Sequence, residues 1–332
     1  MTMQLVFARM HLEPGDYGSC VHYVAVSYRW RRPDPKGGRY NIISDSLSRE
    51  KNTAPDEVLD RAIHFAAHCK VPFVWIDQEC EEKETAIQSM DLVYQHAVAS
   101  IRLLDVTITT QEDMDILDSM LRLDELSAQQ FVGSLNLLER LVRDEWMSRA
   151  WVYQEVAAAG SRMVLLLKCD PALHRAFRDR GDHLTNSLNI LGEYDILPGE
   201  LIRAIRYLEN WPIISGHSVS KQVQSRLDKA SSFIKSTLSG DSPLFGRLIG
   251  HFQEPMPWEE QKRAIRDPQY RPLVSVVEAL QGLEGRSNSR IPDRITILGN
   301  LCTYGKRLNT QSIQNVGSVG FYEHKCFCAC SP

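Results

Sequence analysis

Three separated stretches of the sequence carry residue types that could do chemistry on a sugar or a nucleotide. They are Ser27-Tyr-Arg-Trp30, Trp75-Ile-Asp77 and the run from Trp146 to Glu155. A carboxylate beside a ribose can stabilise the positive charge that develops when a glycosidic bond breaks. Aromatic rings can stack on a base, and arginines can pair with phosphate. We therefore expect one working site assembled from all three stretches.

Glu155 is the candidate catalytic carboxylate, and Ser27 and Asp77 are expected to line the same site. Each has a structural alternative. Glu155 could form a salt bridge with Arg149 or cap a turn, and Ser27 could hydrogen-bond only to backbone. Asp77 could cap a helix or a loop, or pair with Arg29.

The remaining candidates are aromatic and basic: Tyr28, Trp30 and Trp151 for stacking, and Arg29 and Arg149 for phosphate. Trp75 and Trp151 are alternatively core residues, the commoner use of tryptophan. Cys80 would be a nucleophile only beside a histidine, and no histidine spacing demands that, so a buried thiol is the better interpretation.

The elements that must position these residues alternate between strand and helix over the first 170 residues. Strands are predicted at 22–28, 71–77, 99–104 and 163–167, and helices at 56–69, 82–97, within 111–143 and at 146–158. Such alternation favours a parallel sheet flanked by helices. Ligands bind such sheets at the carboxyl ends of the strands, where Ser27–Trp30 and Asp77 fall. Beyond residue 171, helical periodicity recurs at 200–210, 225–238 and 273–283.

The same stretches resemble the signature blocks of the fungal heterokaryon incompatibility (HET) domain over about residues 20–170. The matching blocks are Tyr23-Val-Ala-Val-Ser-Tyr-Arg-Trp30, Trp75-Ile-Asp77, Met90-Asp-Leu-Val-Tyr94 with Ala97, and Trp146-x-x-Arg149-x-Trp151-x-x-Gln154-Glu155. A weaker echo lies at Arg290–Gly299. The sequence departs from the family at Arg31, where the family usually has Gly, and after Cys80, where its loop is shortened.

HET domains are in turn thought to be distant relatives of TIR domains, some of which cleave NAD with a glutamate on the helix after their third strand. The resemblance implies a flavodoxin-like or TIR-like α/β domain over residues 1–170 with helical insertions, followed by a mainly helical region over 171–332. It places Glu155 at the position of the catalytic acid. Ser27-Tyr-Arg29 is similar to the end of the first TIR strand.

Composition excludes several other classes of protein. The net charge is −4 over 332 residues, without the basic footprint of a nucleic-acid binder. No run approaches the roughly 20 apolar residues of a membrane span, and the first ten residues lack a signal-peptide pattern. We therefore expect a cytoplasmic protein. The tail Cys326-Phe-Cys-Ala-Cys330 lacks the usual zinc spacing, so no metal and no resident cofactor are expected.

The resemblance to HET and TIR domains implies a fungal cell-death or incompatibility effector that hydrolyses NAD or a related nucleotide as substrate. A rival hypothesis is a non-enzymatic signalling module that acts by homo-oligomerisation or by binding a protein partner. A third is a diverged, inactive relative, which Arg31 and the shortened loop favour.

Overall fold

The fold is built around a five-stranded, mostly parallel sheet. It was analysed in a computed structural model that describes residues 6–8, 22–31, 38–43, 49–79, 90–179, 190, 192–238, 283, 286 and 291–301. The strands are β2 (Tyr23–Tyr28), β5 (Phe73–Ile76), β6 (Ala99–Ile108), β7 (Met163–Cys169) and β8 (Glu193–Ile196), in the spatial order β5-β2-β6-β7-β8. All pairings are parallel except that of β7 with β8.

The strand order explains where a ligand would sit. The chain starts in the sheet at β2, adds β5 on one side and then crosses to add β6 on the other. This reversal is the topological switch point of a flavodoxin-like order, and ligands bind outside the carboxyl ends of the two strands that flank it. In the register of β2 and β6, Ser27 pairs with Arg102 at that end.

Helices cover both faces of the sheet. They are α1 (Asp56–His68), α2 (Met90–His96), α3 (Gln111–Arg122), α4 (Ala128–Val142), α5 (Ala150–Ala159), α6 (Pro171–Asp179), α7 (Pro198–Ser215), α8 (Lys221–Leu238) and α9 (Ile291–Leu301). On one face α1 packs through Leu59, Ala62 and Phe65 against Val24 and Val26. On the other face α2 to α5, α7 and α8 share a larger core with Ala25 and Leu104. Burial of these apolar faces is the main stabilising term of the fold.

Local sequence fixes the ends of several helices. Thr110 caps α3 by accepting a hydrogen bond from Asp113 N, and Ser127 and Gln130 form a reciprocal capping box at the start of α4. Helix α5 ends at Gly160, whose φ of 56° and ψ of −133° suit only glycine. The chain therefore leaves α5 sharply and enters β7 after one short turn.

A small second sheet is formed by β1 (Val6–Ala8), β3 (Asn41–Ile43) and β4 (Arg49–Lys51), in the order β1-β3-β4.

Within the main sheet, a register shift in β6 between Leu103 and Thr107 interrupts the pairing of β6 with β7. Arg61 of α1 donates to the carbonyls of Leu104 and Leu166 there, and ion-pairs with the buried Glu193. One buried guanidinium thus joins α1 to three strands.

The predicted α/β class is confirmed, with a mostly parallel sheet, flanking helices and a helical C-terminal region. The strand predicted at 99–104 extends to Ile108, and the helix predicted at 146–158 begins as a 3-10 turn over Glu145–Ser148. The sheet also continues past residue 170, because β8 pairs with β7. Cys80, the tail around Cys326, Cys328 and Cys330, and almost all of 273–283 lie outside the described residues.

Candidate functional site

Ser27 and Glu155, separated by 128 residues in the sequence, meet through their side chains. Ser27 Oγ donates a hydrogen bond of 2.5 Å to Glu155 Oε2. Trp146 Nε1 in turn donates to Ser27 Oγ at 2.8 Å. The contact forms because Ser27 lies near the carboxyl end of β2 on the face that α5 covers. Both side chains are buried, and Glu155 is only 2% exposed.

Arg102 neutralises the buried acid. Its Nη1 lies 2.6 Å from Glu155 Oε2, and its side chain is wholly inaccessible. The guanidinium lies 5.0 Å from the ring centroid of Tyr94 and 4.9 Å from that of Trp146. The close ion pair and cation–π attraction to the two rings offset part of the cost of burying the charges. In the described part of the chain the three guanidinium nitrogens of Arg102 have no hydrogen-bond partner of suitable geometry, so the pair is held by charge and ring contacts.

Sequence reasoning missed Arg102. The signal was an arginine inside the apolar run Ala-Ser-Ile-Arg-Leu-Leu, which forms the first half of β6. A charge in a strand that is buried on both faces needs a partner. Ser27 and Arg102 are paired in the β2–β6 register, so the guanidinium lies beside the end of β2, where Glu155 of α5 contacts both residues. Ser27 and Arg102 both contact the same oxygen of Glu155, Oε2.

A second carboxyl lies at the neighbouring strand end. Asp77 follows β5, and its Oδ2 accepts a hydrogen bond of 2.7 Å from Trp30 Nε1. Its Oδ1 is enclosed and has no hydrogen-bond partner within the described part of the chain. Burial raises the pKa of Asp77 to about 6, with the hydrogen bond from Trp30 acting against it and the nearby charge of Glu155 adding to it. The charge of Glu155 therefore acts on the Asp77 carboxyl group across the end of the sheet.

Tyr28 and Arg149 complete the described edge of the site. Arg149 Nη1 donates to the Tyr28 carbonyl at 2.6 Å, which fastens the start of α5 to the end of β2. The Tyr28 hydroxyl donates to Gln78 Oε1 at 2.5 Å. Burial and the charge of Asp77 raise the pKa of Tyr28, so its hydroxyl stays protonated at neutral pH.

Arg29 and Trp151 lie outside this contact network. Arg29 Nη2 forms a 2.6 Å ion pair with Glu145, and both side chains are well exposed. Trp151 is partly buried and packs against apolar core residues. Arg31, at the position where the family usually has Gly, ion-pairs with Asp105. The exposed ring of Trp30, by contrast, is held by Asp77 at the rim of the site.

The structural alternatives named above can be compared with these contacts. The partner of Glu155 is Arg102 rather than Arg149, and the hydroxyl of Ser27 bonds to a side chain rather than to backbone. Asp77 pairs with Trp30 rather than with Arg29. Within the described residues there is no cluster of three His, Cys, Asp or Glu side chains able to hold a metal.

The fold and the site together define a class of protein. It is an α/β domain with a buried acid and a buried serine at the carboxyl end of its central strands. Residues 23–155 match the family model described as "Heterokaryon incompatibility protein (HET)". The match covers 133 of the 332 residues, which supports a heterokaryon incompatibility domain in this part of the chain, and its last residue is Glu155. No curated protein and no solved structure matches the chain.

Replacing Asp77 with asparagine should stabilise the protein at pH 7.5 by about 2 kcal/mol, because the raised pKa marks a charge that is costly to bury. The folded carboxyl holds its proton up to about pH 6 and the unfolded one only to about 3.8. Stability of the parent protein therefore falls as pH rises from about 4 to 6. Urea unfolding from pH 4 to 8 should show the advantage of Asp77→Asn growing across that interval. A less stable variant at pH 7.5 would contradict this prediction.

Proposed function

We propose that this protein is a fungal incompatibility effector that kills the cell by hydrolysing NAD or a related dinucleotide. The HET domain supports the role in heterokaryon incompatibility. The observation that carries the enzymatic part is the contact of Ser27 with Glu155 at the carboxyl end of β2, beside Asp77. Parallel α/β sheets bind nucleotides at that edge.

The chemistry needs a fixed carboxylate beside the ribose. When the bond from ribose C1′ to the pyridinium nitrogen breaks, its electron pair leaves with nicotinamide, and positive charge develops on the sugar. Glu155 would stabilise that charge or orient a ribose hydroxyl through Oε1, while Ser27 and Arg102 hold Oε2. Water then adds to C1′ and releases a proton.

The surrounding residues suit the rest of a dinucleotide. Trp30 presents a ring that is 44% exposed and whose orientation is fixed by Asp77. Such a ring can stack on a base. Arg149 lies at the inner edge of the site and Arg29 at its surface, so either guanidinium can pair with a phosphate. Trp151 is assigned to the core instead.

Glu155 is only 2% exposed, so the proposal includes a movement that uncovers the acid when the nucleotide binds. The same enclosure favours a second candidate, a signalling module that acts by assembly. Ile213 and Ile214, which are 83% and 63% exposed near the end of α7, offer an apolar contact for another protein. In the described part of the chain, no helix has the length and apolar character to cross a membrane.

Purified protein incubated with NAD separates the two candidates. The enzyme should release nicotinamide in proportion to protein, with turnover that rises at concentrations where the protein assembles. Expression in yeast should lower cellular NAD and arrest growth. Toxicity without any loss of NAD would support the signalling module. Absence of both turnover and toxicity would support an inactive relative.

A further inference from the structure

The helix that carries Glu155 is also held from behind by residues far outside the HET match. One face of α5 packs against Leu283 and α9, together termed the C-terminal segment. The apolar cluster between them is formed by Ala150, Tyr153 and Ala157 of α5 with Leu283 and, from α9, Ile297 and Leu301. The three α5 residues recur at intervals of three and four, so they form one stripe of the helix. Glu155 projects from another stripe toward the sheet. Helix α5 is therefore enclosed between the sheet and α9.

Arg286 makes the polar contacts of this enclosure. It is 6% exposed and donates hydrogen bonds to the carbonyls of Met147, at 3.1 Å, and Ser236, at 3.0 Å. It also donates to Thr237 Oγ1 at 3.2 Å. Its guanidinium lies 5.6 Å from the ring centroid of Tyr153. Only an arginine fork can direct donors to acceptors on separate elements in this way.

Two of the residues that Arg286 contacts are one or two positions from site residues in the sequence. Met147 follows Trp146, whose indole donates to Ser27, and Tyr153 precedes Glu155 by two residues. Arg286 thus fixes both the turn that carries Trp146 and the middle of the acid helix. Burial lowers the pKa of Arg286 to about 10, so the guanidinium remains charged at neutral pH and keeps its donors.

We propose that Arg286 is a positioning residue for Glu155, acting through the 145–148 turn and α5 rather than through contact with the ligand. The predicted effect of Arg286 on turnover rests on the proposed function, whereas its role in holding the 145–148 turn and α5 in place does not. The C-terminal segment thereby becomes a route by which an event elsewhere in the chain can change the geometry of the site.

Two readouts test this proposal in the full-length protein. Arg286→Met should raise backbone hydrogen exchange in residues 146–159, because the turn and helix lose their rear support. It should lower kcat for NAD by about tenfold or more while KM changes little, since misplacement of a catalytic group weakens the chemical step. Arg286→Lys keeps the charge but not the fork, so it should show the same pattern in a folded protein.

Arg226→Met is the control, because the hydrogen bonds of Arg226 within the described part of the chain join α8 to Glu139 and Asn136 of α4 rather than to α5. It should leave exchange in 146–159 and both kinetic constants unchanged. Normal exchange there in both Arg286 variants would overturn the proposal. Raised exchange with unchanged kcat would overturn the positioning role alone. A parent protein without turnover would refute the enzymatic function, while the exchange result would still decide whether Arg286 holds the helix.

Discussion

Nicotinamide release should fall by on the order of 10²–10³-fold when Glu155 is replaced by glutamine. The change keeps the shape of the side chain and removes its charge, so the developing positive charge on the ribose loses its stabilising partner. Ser27 can still donate to the amide oxygen. The measurement is initial velocity at saturating NAD, with nicotinamide quantified chromatographically. A variant that retains more than about a third of the parent rate would exclude Glu155 as the catalytic acid.

Folding must be controlled in this experiment, because Glu155→Gln leaves Arg102 buried without its anion. The double variant Glu155→Gln/Arg102→Met removes both charges and should recover stability, since an apolar replacement of a buried pair is often tolerated. It should not recover activity. Recovery of stability without turnover would assign the loss to missing chemistry rather than to unfolding.

Replacing Arg102 with methionine should lower the free energy of unfolding by about 3–5 kcal/mol. Glu155 would then lie in a layer that is closed to solvent without its cation, although Ser27 would still donate to Oε2. Tyr94 and Trp146 would also lose the cation between their rings. Urea denaturation of the parent and variant gives this difference directly.

Arg122→Met provides the matched control, because the Arg122 side chain is 44% exposed and pairs with Asp118 on the same helix. A pair of that kind contributes about 0.5 kcal/mol or less. If Arg102→Met were as mild as this control, the buried ion pair would not be a stabilising element of the site. Combined with the Glu155 variants, the two single changes should be strongly non-additive.

Much of the site could be predicted from sequence because parallel strands deliver their carboxyl ends to one edge. That rule, with the family blocks, indicated that Ser27, Asp77 and Glu155 belong together. Ser27 and Glu155 are hydrogen-bonded, and the charge of Glu155 raises the pKa of Asp77. The fold class followed from the alternation of strand and helix. The orientation of the Arg29 side chain could not be predicted in this way, because an exposed arginine can pair with any acidic side chain that lies nearby, here Glu145.

Arg102 and Arg286 were beyond such reasoning for different physical reasons. The role of Arg102 depends on the pairing register between β2 and β6, which no pattern in either strand specifies. Arg286 acts on backbone carbonyls, and a carbonyl carries no residue identity that a sequence could reveal. Both are charges whose partners become visible only when distant segments are packed.

The sheet order has a practical consequence for anyone dividing this chain into pieces. The family-model match ends at Glu155, yet the next strand, β7, is buried along nearly its whole length between β6 and β8. A shortened chain that ended at the last matched residue would leave the hydrogen-bonding edge of β6 open and its apolar faces uncovered, a template for aggregation. The matched region is therefore smaller than the unit that must fold, and a shortened protein needs at least β7, β8 and the helices that cover them.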